Sequence, residues 1–237
     1  MIMRVAFAPP VLTRINKSGH EMRSALTALI LGTAVLSAAP AFSDAVKDGK
    51  RVYMTKTCMA CHGRNGAKPI ATYPALAGQN PAYLLTQLKA IRDGKRVGSV
   101  DPETGHTFVQ GMADIMHLLS EDDLKNVVAY LAVQDPAKPE VLDPAPTEDE
   151  LAAAAKIYKK LGCRSCHGKE GDKPSNKAYP YIAGLDREYL IRAMTEIRDK
   201  TRTSGKSKMM FGTIKRADDD QIAAMATWLS QIDRNAE

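Results

Sequence analysis

The chain is poor in several things at once. Aromatic residues make up 5% of its 237 positions, with a single tryptophan and four phenylalanines. Cores built from so few rings are modest and gain from a cofactor that completes them. Cysteine is scarce as well, with four in all. They stand in two close pairs. No stretch alternates apolar and polar residues well enough to be read as a strand, which argues against a sandwich or barrel. One apolar run is present, Ala25 to Ala39, and it is shorter than the ~20 residues a membrane span needs. No other segment is apolar enough to cross a bilayer. Charge of one sign is not in large excess, since 33 basic residues face 27 acidic ones.

That balance tightens once the N-terminus is set aside. Arg4, Arg14, Lys17 and Arg23 precede the apolar run, and Ala39-Pro40-Ala41 or Ala41-Phe42-Ser43 offers a small-residue cleavage site. This is the pattern of a secretory signal peptide over residues 1–43. The basic lead is long, and Met22-Arg23 is itself a good start, so residues 1–21 read as an over-called start. Cleavage after Ser43 removes four basic residues and Glu21, and the net charge falls from +6 to +3. Nucleic-acid binding gains no support from a chain so near neutrality.

The four cysteines carry the chemistry. Cys58-Met59-Ala60-Cys61-His62 recurs as Cys163-Arg164-Ser165-Cys166-His167. C-x-x-C-H is the attachment signature of c-type haem, with two thiols for the vinyl groups and one imidazole for the iron. A zinc ribbon sets its two pairs about 15–20 residues apart, and a thioredoxin-type pair belongs in a βαβ context. These pairs lie 105 positions apart in separate segments. Two covalently bound haem c groups are therefore expected. Such haem is attached outside the cytoplasm, which agrees with export.

The repeat reaches well beyond the motifs. Tyr73-Pro74-Ala75-Leu76-Ala77-Gly78 corresponds to Tyr179-Pro180-Tyr181-Ile182-Ala183-Gly184, and Ile91-Arg92-Asp93 corresponds to Ile197-Arg198-Asp199, both at an offset of 106. Ala129-Tyr130-Leu131 corresponds to Thr227-Trp228-Leu229 at an offset of 98, so the first copy holds eight extra residues, within the loop 97–109. Between the copies, Pro136, Pro139, Pro144 and Pro146 favour a stiff, extended linker. The expected organisation is all-α: a domain over 44–133, a linker over 134–147 and a second domain over 148–237. Each domain should hold a leading helix (Ala45–Thr57, Glu148–Lys160), a middle helix (Pro81–Asp93, Arg187–Lys200) and a final one. Thr147-x-x-Glu150 is a capping box, and Ser120-x-x-Asp123 and Asp218-x-x-Gln221 head the final helices.

The open axial position of each iron needs a second ligand, and methionine is the thioether that raises the potential. Met112 and Met210 each stand eight residues before the cap of a final helix, in what reads as a loop. They are the axial candidates, with Met116 and Met209 as runners-up. His117 and His106 read as surface histidines. The carbonyls of Pro74 and Pro180 are expected to accept the second N–H of His62 and His167.

C-x-x-C-H, Y-P-x-[LI]-A-G, a middle helix, a methionine and a final helix with A-Y-L or T-W-L together resemble class I cytochrome c. Two such domains after a signal peptide resemble the c4-type dihaem cytochromes, over nearly all of residues 44–237. The middle helix of the second copy also resembles the dihaem subunit of flavocytochrome c sulfide dehydrogenase. The resemblance implies periplasmic electron transfer, neighbouring haems, and the ligand pairs His62 with Met112 and His167 with Met210. It implies redox partners, a donor and an acceptor, among them a respiratory or dehydrogenase donor, a flavoprotein or a membrane oxidase. It implies a carrier and not an enzyme, and no acid/base constellation stands beside either motif. Leu185 replaces Gln79 in the second copy and Ala154 replaces Gly49, so the second domain is the less typical one.

Overall fold

Helix ends in this chain follow local chemistry, and they set the frame of the molecule. The structure is a computed structural model that describes residues 38–70 and 72–236; the leader read from the sequence lies almost wholly outside them. The first half contains α1 (Ala38–Thr55), α2 (Cys58–His62), α3 (Pro81–Arg92), α4 (Gln110–Met116) and α5 (Glu121–Ala132). The second half repeats them as α6 (Glu148–Leu161), α7 (Arg164–His167), α8 (Arg187–Arg198), α9 (Ser207–Ile214) and α10 (Asp219–Ser230). Among the described residues the one β contact is an isolated bridge, Val100 to Thr107. The all-α reading therefore holds.

The expected capping boxes are formed. Thr147 accepts from the Glu150 N–H while the Glu150 carboxylate accepts in return, and Ser120 and Asp123 do the same. Asp218 accepts from the Gln221 N–H. Pro81 opens α3 at a position where a missing N–H costs nothing. Three expectations need correction. The first leading helix runs Ala38–Thr55 and not Ala45–Thr57, and the second runs one residue further than expected, to Leu161. The middle helices stop at Arg92 and Arg198, one and two residues early. Met112 and Met210 lie on short helices, α4 and α9, and not in loops. Apolar residues at 112, 115 and 116 give α4 one buried face, but seven residues are too few for periodicity to declare a helix.

Each half has its own core. Val52, Tyr53, Leu84, Ile91, Leu124, Val127 and Leu131 fill the first. Tyr158, Leu161, Leu190, Ile214, Ile222, Met225 and Leu229 fill the second. In both, the leading helix crosses the final one at a ring pair: Tyr53 with Tyr130, 5.5 Å between centroids, and Tyr158 with Trp228, 5.0 Å.

The halves do not stand apart. Pro40–Glu237 form one compact unit, and Ala75 of the first half packs into the second core. Gln79 makes a two-way amide bond with the backbone of Tyr181, giving 2.8 Å to its carbonyl and receiving 2.8 Å from its N–H. This explains why position 79 differs from position 185. Gln79 holds the other half, and its counterpart Leu185 is buried apolar wall. The proline-rich linker is docked on the second half, where the Glu140 carboxylate accepts from the Arg187 N–H at 2.8 Å.

The inserted loop is a strap. The Ser99 N–H and Oγ both donate to Glu196 Oε1, at 2.8 and 2.9 Å. Phe108 lies under the Arg192 guanidinium, 4.1 Å from its ring centroid. Glu196, on α8, is 4% exposed. Replacing Glu196 by alanine leaves two donors of the strap without their acceptor. The expected cost is about 1–3 kcal/mol of stability, seen as a lower denaturant midpoint; an unchanged midpoint would show that the strap carries no such load.

Candidate haem sites

Two cavities flank the seam between the halves. The first, about 90 Å³, is lined by His62, Pro74, Leu76, Leu84, Phe108 and Met112 among others. The second, about 440 Å³, is lined by Cys163, Cys166, His167, Pro180, Met209 and Met210 among others. Each is closed by the middle helix of the opposite half. Tyr189, Arg192 and Glu196 of α8 wall the first, and Tyr83, Thr86 and Gln87 of α3 wall the second.

The imidazoles are fixed as an iron ligand requires. His62 is buried and its Nδ1 lies 2.9 Å from the Pro74 carbonyl. His167 is buried and its Nδ1 lies 3.1 Å from the Pro180 carbonyl. A carbonyl only accepts, so Nδ1 carries the proton and Nε2 keeps its lone pair. The Nε2 of His62 is buried with no hydrogen-bond partner. An unsatisfied buried nitrogen of this kind needs an explanation, and a metal ion supplies one. Burial pushes both imidazoles below their ordinary pKa, against the proline carbonyls, which favours the neutral, ligating form.

The chain turns tightly after each motif. Tyr53 donates its hydroxyl to the Gly63 carbonyl at 2.6 Å, and Tyr158 donates to the Gly168 carbonyl at 3.0 Å. Gly63 and Gly168 adopt φ of 74° and 88°, open to glycine and strained for other residues. The two tyrosines are buried anchors that motif reading missed, although their spacing of 105 matches that of the motifs.

None of the four cysteines is paired in a disulfide, and all are half-buried. Cys163 and Cys166 line the second cavity. Cys58 packs on the first core and lies one turn before His62. Burial pushes the Cys163 thiol up to about 11 and raises Cys58 as well.

The methionines sort themselves by position. Met112 lines the cavity of His62, while Met116 is 1% exposed and belongs to the core. Met210 and Met209 both line the second cavity, but Met210 packs against the core and Met209 is 60% exposed. His106 and His117 are exposed, as read from the sequence. A carbonyl-fixed imidazole and a thioether line each cavity, and the paired thiols line the second, a donor set that suits covalent haem.

The comparisons agree. The cytochrome c family profile matches residues 46–134 and again 151–233. Cytochrome c4 of Azotobacter vinelandii is 29% identical over 218 residues, covering 89% of this chain and all of that protein. The crystal structure of reduced recombinant cytochrome c4 from Pseudomonas stutzeri superposes with a TM-score of 0.65 at 25% identity, over 79% of this chain and 98% of that one. A thiosulfate dehydrogenase electron acceptor of Stutzerimonas stutzeri is 37% identical over 75 residues, 32% of this chain and 31% of that protein. Matched twice in tandem, the chain belongs to the cytochrome c family and carries two covalently bound haem c groups, one in each domain.

Proposed function

We propose that this protein is a periplasmic dihaem electron carrier between a dehydrogenase or respiratory donor and a terminal oxidase or reductase. Cys58 and Cys61 hold one haem by thioether bonds, and Cys163 and Cys166 hold the other. His62 and Met112 are the axial ligands of the first iron, His167 and Met210 those of the second. The domains span 44–133 and 148–237 about the linker 134–147, after a cleaved leader of 43 residues. The observation that carries the reading is the repeated pairing of a buried, carbonyl-fixed imidazole with a methionine in one cavity.

Haem c supplies one-electron Fe(III)/Fe(II) chemistry, and the chain's residues fit that use. Pro74 and Pro180 hold each imidazole in one tautomer, so its basicity toward iron is constant. Apolar residues such as Leu84, Ile91 and Leu131 keep water from the first site. The opposing middle helix closes each cavity, which brings the two sites to one seam. Among the described residues no helix is long and apolar enough to cross a membrane.

A second reading, an electron-accepting subunit of a sulfur- or flavin-dependent dehydrogenase, draws support from the 37% identity to a thiosulfate dehydrogenase electron acceptor. Mass spectrometry of the exported protein should find the apopeptide plus two haems, and redox titration two one-electron steps. A single haem, or a ferric spectrum without methionine ligation at either iron, would sink the carrier proposal. Stable co-purification with a dehydrogenase favours the subunit reading.

A further inference from the structure

The wall between the two cavities holds more positive charge than its own acids neutralise. Arg202 is 4% exposed and lines the second cavity. Its Nη2 donates to Gln87 Oε1 at 2.9 Å and to the Tyr83 hydroxyl at 3.0 Å. Gln87 and Tyr83 belong to the first half and line both cavities. Arg96, half-buried on the wall of the first cavity, donates to the same Gln87 Oε1 at 3.2 Å. Arg96 and Arg202 are repeat partners at the offset of 106. Two guanidiniums from equivalent positions thus share one neutral oxygen.

Like charges are held together this way only if something offsets them. Among the described residues neither arginine has an ion-pair partner. Arg192, which lines the first cavity beside Arg96, is a third cation at the seam. Glu196 bears electrostatically on both Arg202 and Arg192, so one carboxylate stands against three guanidiniums. The Nε–H of Arg202 is buried with no acceptor at all. The phenol of Tyr189 registers the imbalance. Burial raises it, yet the charges of Arg96 and Arg202, with hydrogen bonds to Arg96 and Tyr83, together carry it below its ordinary pKa.

We propose that Arg96 and Arg202, clamped by Gln87, form one anion-binding wall shared by both sites, which receives haem carboxylates and through which Arg202 sets both reduction potentials together. The inference rests on the two-haem reading above and deepens it. Each haem brings two propionate carboxylates, and a carboxylate is the acceptor that a buried guanidinium N–H takes best. A cation near an iron disfavours its ferric state, so a shared cation raises both potentials. Gln87 has Ala193 as its repeat counterpart. The clamp is therefore built once, at the seam.

The test uses the holoprotein, with the midpoint potential of each haem read by spectroelectrochemistry. Arg202→Gln should shift each reduction equilibrium at least tenfold toward the oxidised form, which is about 59 mV for one electron. Arg202→Lys should restore most of the loss. Gln87→Glu places a carboxylate against an intact Arg202 and should lower both potentials too. If Arg202→Gln does not fold or load haem, the Gln87→Glu result decides. Unmoved potentials in the variants that load, or a shift confined to the second haem, overturns the proposal. A wild-type protein with fewer than two haems or without methionine ligation defeats the carrier reading instead, and haem content separates the two failures.

Discussion

Met112→Ala should lower the potential of the first haem by on the order of 0.1–0.3 V, a sizeable part of the ~0.8 V range over which axial ligands act. A thioether is a soft donor that stabilises Fe(II) over Fe(III), so its loss favours the oxidised state. Met112 lines the cavity of His62, and the next methionine, Met116, is locked in the core at 1% exposure. No second thioether stands ready in that cavity. The ferrous iron should then bind carbon monoxide, which the parent excludes. The second site behaves differently. Met209 lines the same cavity as Met210, so Met210→Ala should lose less potential than Met112→Ala, and Met209→Ala with Met210→Ala should lose the full amount. Spectroelectrochemistry with a carbon monoxide titration checks all three. A potential unchanged in Met112→Ala removes that residue from the iron.

Much of this was open to view in the chain. A covalent motif that recurs at a fixed offset exposes itself, and so do caps such as Thr147 with Glu150, because they satisfy neighbours in sequence. Pro74 and Pro180 could be assigned to their histidines because the repeat placed both at nearly the same distance. The seam between the halves was harder to read. Gln79 bonded to Tyr181, Ser99 bonded to Glu196, and Gln87 bonded to Arg202 join positions about a hundred residues apart. Nothing local marks such contacts. The asymmetries hinted at them: Gln79 against Leu185, Gln87 against Ala193, the extra loop against none. In a duplicated chain, a position that differs between copies is a candidate for holding the copies together. The shared arginines were hidden for the opposite reason, since Arg96 and Arg202 look like ordinary helix-end cations until burial is known.

Gly49→Ala should destabilise the first domain by more than ~3 kcal/mol, beyond the usual range for overpacking. A Cβ built on Gly49 falls 1.9 Å from the Asn126 carbonyl oxygen and 2.5 Å from its carbon. It also meets the Tyr130 Cβ at 2.8 Å. The obstacle is chiefly backbone of α5, which cannot rotate aside as a side chain can. α1 and α5 would have to separate, and the Tyr53–Tyr130 ring pair lies between them. That movement would also disturb Tyr53, whose hydroxyl holds the turn after His62. The mirror experiment supplies the control. Ala154 stands at the matching place in α6 and is 1% exposed, so the second crossing already accommodates a methyl group. Ala154→Gly should cost only about 1–2 kcal/mol, from helix propensity and one lost buried methyl. Thermal unfolding of the two holoproteins, followed at the haem absorbance, should show a large drop for Gly49→Ala and a small one for Ala154→Gly. Equal drops would mean that the crossings are spaced alike and that the glycine is not what lets α1 approach α5.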